Sequence, residues 1–255
     1  METLAAVVAA GRDRDGTVVT APDRTADYTY REFATNAWKA GNLFRHYGLR
    51  PGATLAVIAG PKEPEDAAEP GWLGSAADPL LAFLGGACVG AVVDFDPPQP
   101  IDARAIALPD AWLDRYDIEP GCSQVAYGGP PERSGVAHFE RELWSENPTQ
   151  PPDSPDSDDS LLRVDAREYS HAELLAAAQA LVDEFGLTAG DTIAINAPLT
   201  TAGAVVAGVV APLLVGATIM LRTPESLPED VVYVVSDAER WDDRGLAPAA
   251  AMPTQ

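Results

Sequence analysis

The residue types that most often carry out chemistry are few and scattered in this sequence of 255 residues. No G-x-x-x-x-G-K-[ST] or G-x-G-x-x-G phosphate loop follows a predicted strand, and no serine occupies a G-x-S-x-G turn. No pair among the histidines and cysteines has the spacing of a metal site; these residues are His46, His138, His171, Cys88 and Cys122. The residues alone therefore predict no metal, no cofactor and no catalytic nucleophile.

Acidic residues dominate the composition. Asp and Glu number 39 against 17 Lys and Arg, which gives a formal net charge of −22, and Lys39 and Lys62 are the only lysines. Self-repulsion at this charge opposes a compact fold in dilute buffer, whereas 1 M salt shortens the Debye length to about 3 Å. The composition indicates a halophilic protein, with an acidic mesophilic protein as the alternative. It argues against nucleic acids and anionic membranes as partners, because both attract basic patches.

The cysteines and the N-terminal residues predict a cytoplasmic location. Neither cysteine belongs to a C-x-x-C pair, which is typical of a reducing compartment, and residues 1–3 carry no basic leader. Residues 192–221 contain no charge and are numerous enough to span a bilayer. Asn196, two prolines and separate apolar clusters instead favour a strand, a turn, a helix and a second strand in a buried core.

Two segments of the sequence repeat one pattern, which suggests a diverged internal duplication. Each segment begins with a capping box. Thr29 and Glu32 form the first box, and Ser170 and Glu173 form the second. In both segments an amphipathic helix, a glycine, a buried strand, a helix of small residues and another strand follow.

This alternation of helices with apolar strands predicts an α/β fold, built from two related strand–helix subdomains with mostly parallel sheets. We expect residues 55–58 to correspond to 193–195, and 92–93 to 218–219, each central in its sheet. The predicted organisation is a first subdomain over 1–144, an acidic, flexible Pro/Ser linker over 145–160, a second subdomain over 161–236 and a disordered tail over 237–255.

Several short motifs occur in a fixed order between residues 27 and 221. They are Thr29-Tyr30-Arg31-Glu32-Phe33, Gly86-Ala87-Cys88-Val89-Gly90-Ala91, Ser170-His171-Ala172-Glu173-Leu174-Leu175, Pro198-Leu199-Thr200-Thr201-Ala202-Gly203 and Pro212-Leu213-Leu214-Val215-Gly216-Ala217. In this order they resemble the N-terminal large domain of AMP-forming acyl-CoA synthetases, a superfamily that includes luciferases and peptide-synthetase adenylation domains. The resemblance implies a shortened large domain, and the acid excess with few lysines indicates a haloarchaeal type.

The sequence departs from this family where ATP would be held. Before the Ser-His helix the family has a Ser/Thr/Gly-rich loop that ends in Pro-Lys-Gly and binds the ATP phosphates. Here residues 161–169 contain no glycine and no lysine, but they contain Asp165 and Glu168. The 255 residues also stop before the family's adenine-binding strand, its Thr-Glu motif, its ribose-binding aspartate and its C-terminal lid.

The resemblance nevertheless marks positions that would face a ligand. The candidates for contact with a nucleotide cofactor are Arg163, Arg167 and His171. In the next motif, threonines replace the aromatic residue and the histidine of the family. The candidates for a substrate pocket there are Thr200, Thr201 and Gly203.

The leading hypothesis is a non-catalytic acyl-CoA synthetase-like protein, a pseudoenzyme that acts as a binding or partner subunit. The expected partner is a second copy of the chain or an active synthetase. If the chain is instead an enzyme, it is a split or minimal AMP-forming acid–thiol ligase that a second chain completes. A third hypothesis is an acyl-binding module that uses the apolar residues 198–221.

The charge generates a first prediction, which concerns salt. Because molar salt screens the self-repulsion of the folded state, the melting temperature should rise steeply between about 0.1 and 3 M KCl. Thermal unfolding followed by circular dichroism across this range measures the effect. A flat profile would contradict the halophilic interpretation.

Overall fold

The computed structural model describes residues 1–20, 27–63, 68–221, 227–236, 241 and 244–252. The described residues form two sheets, in which all strand pairs are parallel except those of two hairpins. The first sheet has the spatial order β7 (Ala137–His138), β6 (Ser123–Tyr127), β5 (Ala105–Pro109), β3 (Thr54–Val57), β4 (Val92–Asp94), β8 (Ser160–Val164) and β9 (Arg167–Ser170). The second sheet has the order β13 (Gly245–Leu246), β12 (Val231–Val235), β10 (Thr192–Ile195), β11 (Thr218–Leu221), β1 (Thr17–Thr20) and β2 (Tyr28–Thr29).

Helices cover these sheets, as the predicted α/β class requires. They are α1 (Leu4–Gly11), α2 (Tyr30–His46), α3 (Asp78–Val89), α4 (Phe139–Ser145), α5 (His171–Phe185), α6 (Ala202–Val205) and α7 (Ala211–Val215). Short 3-10 turns span Asp110–Arg115 and Pro248–Ala251. Both predicted capping boxes are confirmed at the starts of α2 and α5.

The predicted strand pairs lie side by side inside their sheets. Thr54 of β3 pairs with Val92 of β4, and Thr192 of β10 pairs with Thr218 of β11. Thr54 and Val92 occupy the same positions in the first repeat as Thr192 and Thr218 occupy in the second. The two strand pairs therefore have the same register. The uncharged residues 192–221 form β10, a helix and β11, as predicted. None of the helices in the described ranges has the length and apolar character needed to cross a bilayer.

The two sheets exchange strands across the predicted subdomain boundaries. The N-terminal strand β1 pairs with β11 of the second sheet, with Val19 opposite Ile219. Conversely, β8 pairs with β4 of the first sheet, with Leu162 opposite Val93. The boundary predicted at residue 161 therefore differs from the structure, because the apolar pattern of a short strand does not specify which sheet it joins.

The acidic segment over residues 145–160 lies against α2 instead of standing free from the protein. Pro151 is buried on Gly41. The Arg45 guanidinium lies 2.6 Å from a carboxylate oxygen of Asp153. The composition predicted a flexible linker, because it did not reveal the proline contact that fixes the path of this segment.

The predicted disordered tail over residues 237–255 lies partly outside the described residues. Its described part is ordered, because β13 pairs with β12 and the turn Pro248–Ala251 packs on α6. Leu246 and Ala251 are buried there. This part of the tail corrects the prediction, which rested on the position of the segment at the end of the sequence.

A π-helical turn, Val206–Val210, joins α6 to α7. In such a turn the N–H of residue i bonds to the carbonyl of residue i−5, but Pro212 has no N–H to offer Ala207. The hydroxyl of Tyr233 donates to the Ala207 carbonyl at 2.9 Å instead. A tyrosine from the neighbouring strand thus satisfies the carbonyl that the proline leaves unpaired, and burial raises the pKa of Tyr233.

This contact generates a stability prediction. Because Tyr233→Phe would leave the buried Ala207 carbonyl without a donor, the free energy of unfolding should fall by about 1–3 kcal/mol. Tyr47→Phe is the control, since the Tyr47 hydroxyl makes no side-chain hydrogen bond within the described ranges; its effect should stay below about 0.5 kcal/mol. Urea unfolding in molar KCl compares the variants, and equal losses would refute this role.

Candidate functional site

The segment where the resemblance places a phosphate loop is a tight hairpin. Strands β8 and β9 pair antiparallel, with Val164 opposite Arg167, so only Asp165 and Ala166 form the turn. Asp165 adopts a left-handed conformation with φ of 53°, which aspartate tolerates better than most residues. The backbone therefore has no room here for a glycine-rich cradle.

Arg163, a nucleotide-contact candidate, is already paired. Its Nη2 donates to Glu168 Oε1 at 2.6 Å, and its Nη1 lies 3.3 Å from Thr54 Oγ1. The hydrogen bond from Arg163 is the largest of the effects that lower the pKa of Glu168. The N–H groups of the Arg163 guanidinium thus contact the opposite strand of the hairpin and β3.

Arg167, the second nucleotide-contact candidate, is held at the exposed end of β9. Its Nη2 lies 3.3 Å from Glu173 Oε1, and its guanidinium stacks 4.3 Å from the centre of the Tyr169 ring. The same carboxylate group closes the capping box of α5 with Ser170. Both arginines therefore face acids, and a triphosphate approaching them would meet these carboxylates.

His171 is fully buried and serves the fold. Its Nδ1 accepts a hydrogen bond from the backbone N–H of Leu4 at 3.1 Å, which docks the start of α1 against α5. Since Nδ1 is an acceptor, the proton of the neutral ring lies on Nε2, which has no hydrogen-bond partner within the described residues. Burial lowers the pKa of His171 to about 4. The position that matches the family motif is therefore inaccessible to a nucleotide.

The residues of the expected substrate pocket are covered or used locally. The Thr201 side chain caps α6 by accepting from the N–H of Ala204 at 3.3 Å. The backbone carbonyl of Pro248 lies directly on Gly203 and leaves no space for a Cβ. Thr200 is half-buried and approaches Gly71. A turn from the C-terminal part of the chain thus covers the start of the helix that the resemblance assigns to substrate binding.

A groove of about 580 Å³ lies beside α5, close to this covered region. Among the six candidate residues only Arg167 lines it. The lining is Arg167, Glu173, Ala176, Ala177, Ala180, Leu181, Glu184, Ala250, Ala251 and Met252. The structure therefore does not bring Arg163, His171 and the threonines together in this groove.

The sequence analysis missed a charged cluster at the carboxyl edge of the first sheet. The Lys62 ammonium lies 3.1 Å from Asp78 and 3.0 Å from Glu140, whose Oε1 also accepts from the N–H of Gly128 at 2.9 Å. His138 Nε2 lies 3.2 Å from the other oxygen of Glu140. The rarity of lysine was a signal that could have drawn attention to Lys62.

Burial and ion pairing shift the pKa values of this cluster in opposite directions. Burial raises the pKa of Asp78, although the Lys62 ammonium acts against this rise. Burial would raise the pKa of Glu140 as well, but the Gly128 N–H and Lys62 together bring it below its usual range. Burial also opposes the charge on Lys62, yet the two carboxylates raise its pKa. Lys62 thus neutralises carboxylates at an edge where α/β proteins often bind ligands, and is not free for a phosphate.

Neither a protein-family model nor a curated protein matches the sequence. Solved structures do match the fold. The anthranilate CoA ligase AuaEII in complex with anthranoyl-AMP has a TM-score of 0.70 at 17% identity, over 87% of this chain and 45% of that one. A benzoate CoA ligase from Burkholderia xenovorans LB400 has a TM-score of 0.66 at 20% identity, over 87% and 46%. A Mycobacterium tuberculosis fatty acyl CoA synthetase has a TM-score of 0.65 at 14% identity, over 88% and 46%.

The chain therefore has the α/β fold of the N-terminal domain of adenylate-forming ligases. Within that class, it is similar to acyl- and aryl-CoA ligases and spans less than half of their length. The TM-scores of 0.65–0.70 establish the fold of the chain.

The buried histidine generates a prediction about pH. The folded-state pKa of His171 is depressed from 6.5 to about 4, so between these values the unfolded chain binds a proton that the folded chain does not. The stability that neutral His171 contributes is present above pH 6.5 and is lost as the pH falls to about 4. The expected loss is about 3 kcal/mol.

His171→Asn is the matched variant, because its amide oxygen can still accept from Leu4 and does not titrate. Urea unfolding between pH 4 and 7 should give a smaller slope of stability against pH for this variant than for the unchanged chain. Parallel slopes would show that His171 does not titrate in this way.

Proposed function

We propose that this chain is a non-catalytic, synthetase-like protein that acts as a binding or partner subunit. The observation that carries the proposal is the two-residue turn at Asp165 and Ala166, which stands where the resemblance places a phosphate-binding loop. On either side of this turn, Arg163 forms an ion pair with Glu168 and Arg167 forms one with Glu173. The hydrogen-bond donors of this segment therefore do not fit a nucleoside triphosphate.

The physical argument concerns charge in the transition state. Adenylate formation develops negative charge on the transferring phosphate, so it requires preorganised donors or cations aimed at that charge. Loss of one such donor in other enzymes costs on the order of a hundredfold in rate. Here a carboxylate at Asp165 replaces a loop of backbone N–H groups, and the neighbouring arginines have carboxylates as partners.

The composition and the sheet registers support further parts of this proposal. The formal charge of −22 supports a halophilic protein in a salt-rich cytoplasm, because high salt screens the repulsion. The matching registers of Thr54 with Val92 and of Thr192 with Thr218 support an internal duplication. Such a chain would act through contacts with a second copy or with an active synthetase.

A split ligase remains the second candidate. The chain spans only 45% of the anthranilate CoA ligase that it resembles, so a second chain carrying the complementary half would supply the missing phosphate and lid groups. A gene for such a half beside this one would favour the split enzyme.

Nucleotide binding tests the proposal directly. Calorimetric titration with Mg-ATP in about 3 M KCl should show no binding in the micromolar range, and carboxylic acids should not stimulate pyrophosphate exchange into ATP. The double variant Arg163→Ala/Arg167→Ala is the control for any signal. Micromolar affinity, or exchange that this variant abolishes, would overturn the non-catalytic assignment.

A further inference from the structure

One short segment, residues 244–252, borders both α6 and the groove beside α5. Its first residues form β13 next to β12, and its turn Pro248–Ala251 packs on α6. Ala250, Ala251 and Met252 line the groove of about 580 Å³. The same segment thus covers the start of a buried helix and forms part of the wall of an open groove. Residues 244–252 are called the strap below.

The strap approaches α6 backbone to backbone at Gly203. The Pro248 carbonyl occupies the space that a Cβ of residue 203 would need. Gly203 lies inside α6 and has no left-handed φ, so the backbone conformation does not demand glycine here. Because glycine destabilises a helix relative to alanine, the close approach of the strap explains its use at this position. The strap and Gly203 therefore fit each other specifically.

The anchors that hold the strap on the second sheet are short. Strand β13 pairs with β12 through two residues, and the Leu246 carbonyl accepts from the N–H of Ser236 at 2.9 Å. Leu246 and Ala251 are buried. Four residues of the strap are alanines, whose side chains bury little apolar area. Segments with little apolar burial open at a lower free energy than core strands, so we expect the strap to open before the sheets do.

Opening of the strap would join the groove to the start of α6. All residues of α6 are buried. On the other side of the groove, α5 contributes Ala176, Ala177, Ala180 and Leu181. Of the charged lining residues, Arg167 and Glu173 pair with each other, and Glu184 lies near the opposite end of α5. The joined space would therefore be lined mainly by small apolar side chains.

We propose that the strap is a displaceable cover, which sets access to an apolar cleft beside α5 and the start of α6. The structure shows the closed state, in which Pro248 lies on Gly203. The open state would accept an uncharged, apolar compound, because apolar side chains form most of its walls. This inference goes beyond the proposed function. Its tests follow the opening of the strap and not nucleotide binding, so either proposal can fail without the other.

Hydrogen exchange of the full chain in about 2 M KCl tests the opening. The reporting amides are those of Ser236 and Ala250, because both donate to carbonyls of the strap. In the unchanged protein they should exchange at least about tenfold faster than the amides of β10. Gly203→Ala pushes the Pro248 carbonyl away, so it should raise the exchange of the two reporting amides by about a further tenfold and leave β3 and β10 unchanged.

Gly190→Ala is the matched control, because a Cβ there would meet Thr188 Oγ1 at 3.9 Å, an ordinary contact distance. A second variant, Leu246→Ala, weakens the strap from its own side and leaves α6 intact. It should open the strap as Gly203→Ala does. If either variant accelerates exchange in β3 and β10 as much as in the strap, the strap is an integral part of the fold and the proposal is wrong. The same holds if Gly203→Ala has no larger effect than Gly190→Ala.

Binding of the uncharged dye Nile red tests the cleft. Because apparent affinity scales with the fraction of open chains, Gly203→Ala should lower the dissociation constant of the dye about tenfold relative to Gly190→Ala. Adding Ala180→Glu to Gly203→Ala places a charge in the wall and should remove this gain. Gln179→Glu is the control for that change, since Gln179 is the exposed neighbour of Ala180 and does not line the groove. Equal dye affinity of the two glycine variants, or equal losses from the two added glutamates, would overturn the assignment of the cleft.

Discussion

The structure depends on two helical segments that are buried on every side. All residues of α3 are buried, and so are residues 202–213 of the α6–α7 segment. A helix that is apolar all round must be covered by more than one layer. One continuous core accordingly contains Leu55 and Val93 of the first sheet together with Ile193 and Ile219 of the second. Neither sheet can cover these helices alone, so the core couples the two halves of the chain.

The strand exchange follows the same constraint and explains the state of the candidate site. The N-terminal segment crosses to the second half, where the Arg14 guanidinium donates to the carbonyls of Leu213 and Leu214 at 2.6 and 3.0 Å. In the opposite direction, β8 and β9 complete the edge of the first sheet. The segment that would have to cradle phosphates therefore works as a structural hairpin, and its arginines pair with its own acids. The hairpin thus differs from the phosphate loop that the resemblance implies in backbone geometry as well as in residue type.

The sequence predicted what local patterns control. Capping boxes and apolar runs located α2, α5, β3 and β10, because these signals act within a few residues. It could not predict which sheet β8 joins, that Pro151 packs on Gly41 or that Leu4 contacts His171. Each of these contacts joins residues that are distant in the chain. Lys62 was missed because its partners, Asp78 and Glu140, are separated from it by long segments.

Native-state hydrogen exchange of the full chain measures most directly whether the two sheets form one inseparable unit. With increasing denaturant in molar KCl, the amides of β3 and β10, which lie inside different sheets, should converge on one free energy of opening. That value should equal the free energy of global unfolding. If β10 opened at a clearly lower free energy while β3 stayed protected, or the reverse, the halves would be independent domains and the structural account of the hairpin would be wrong.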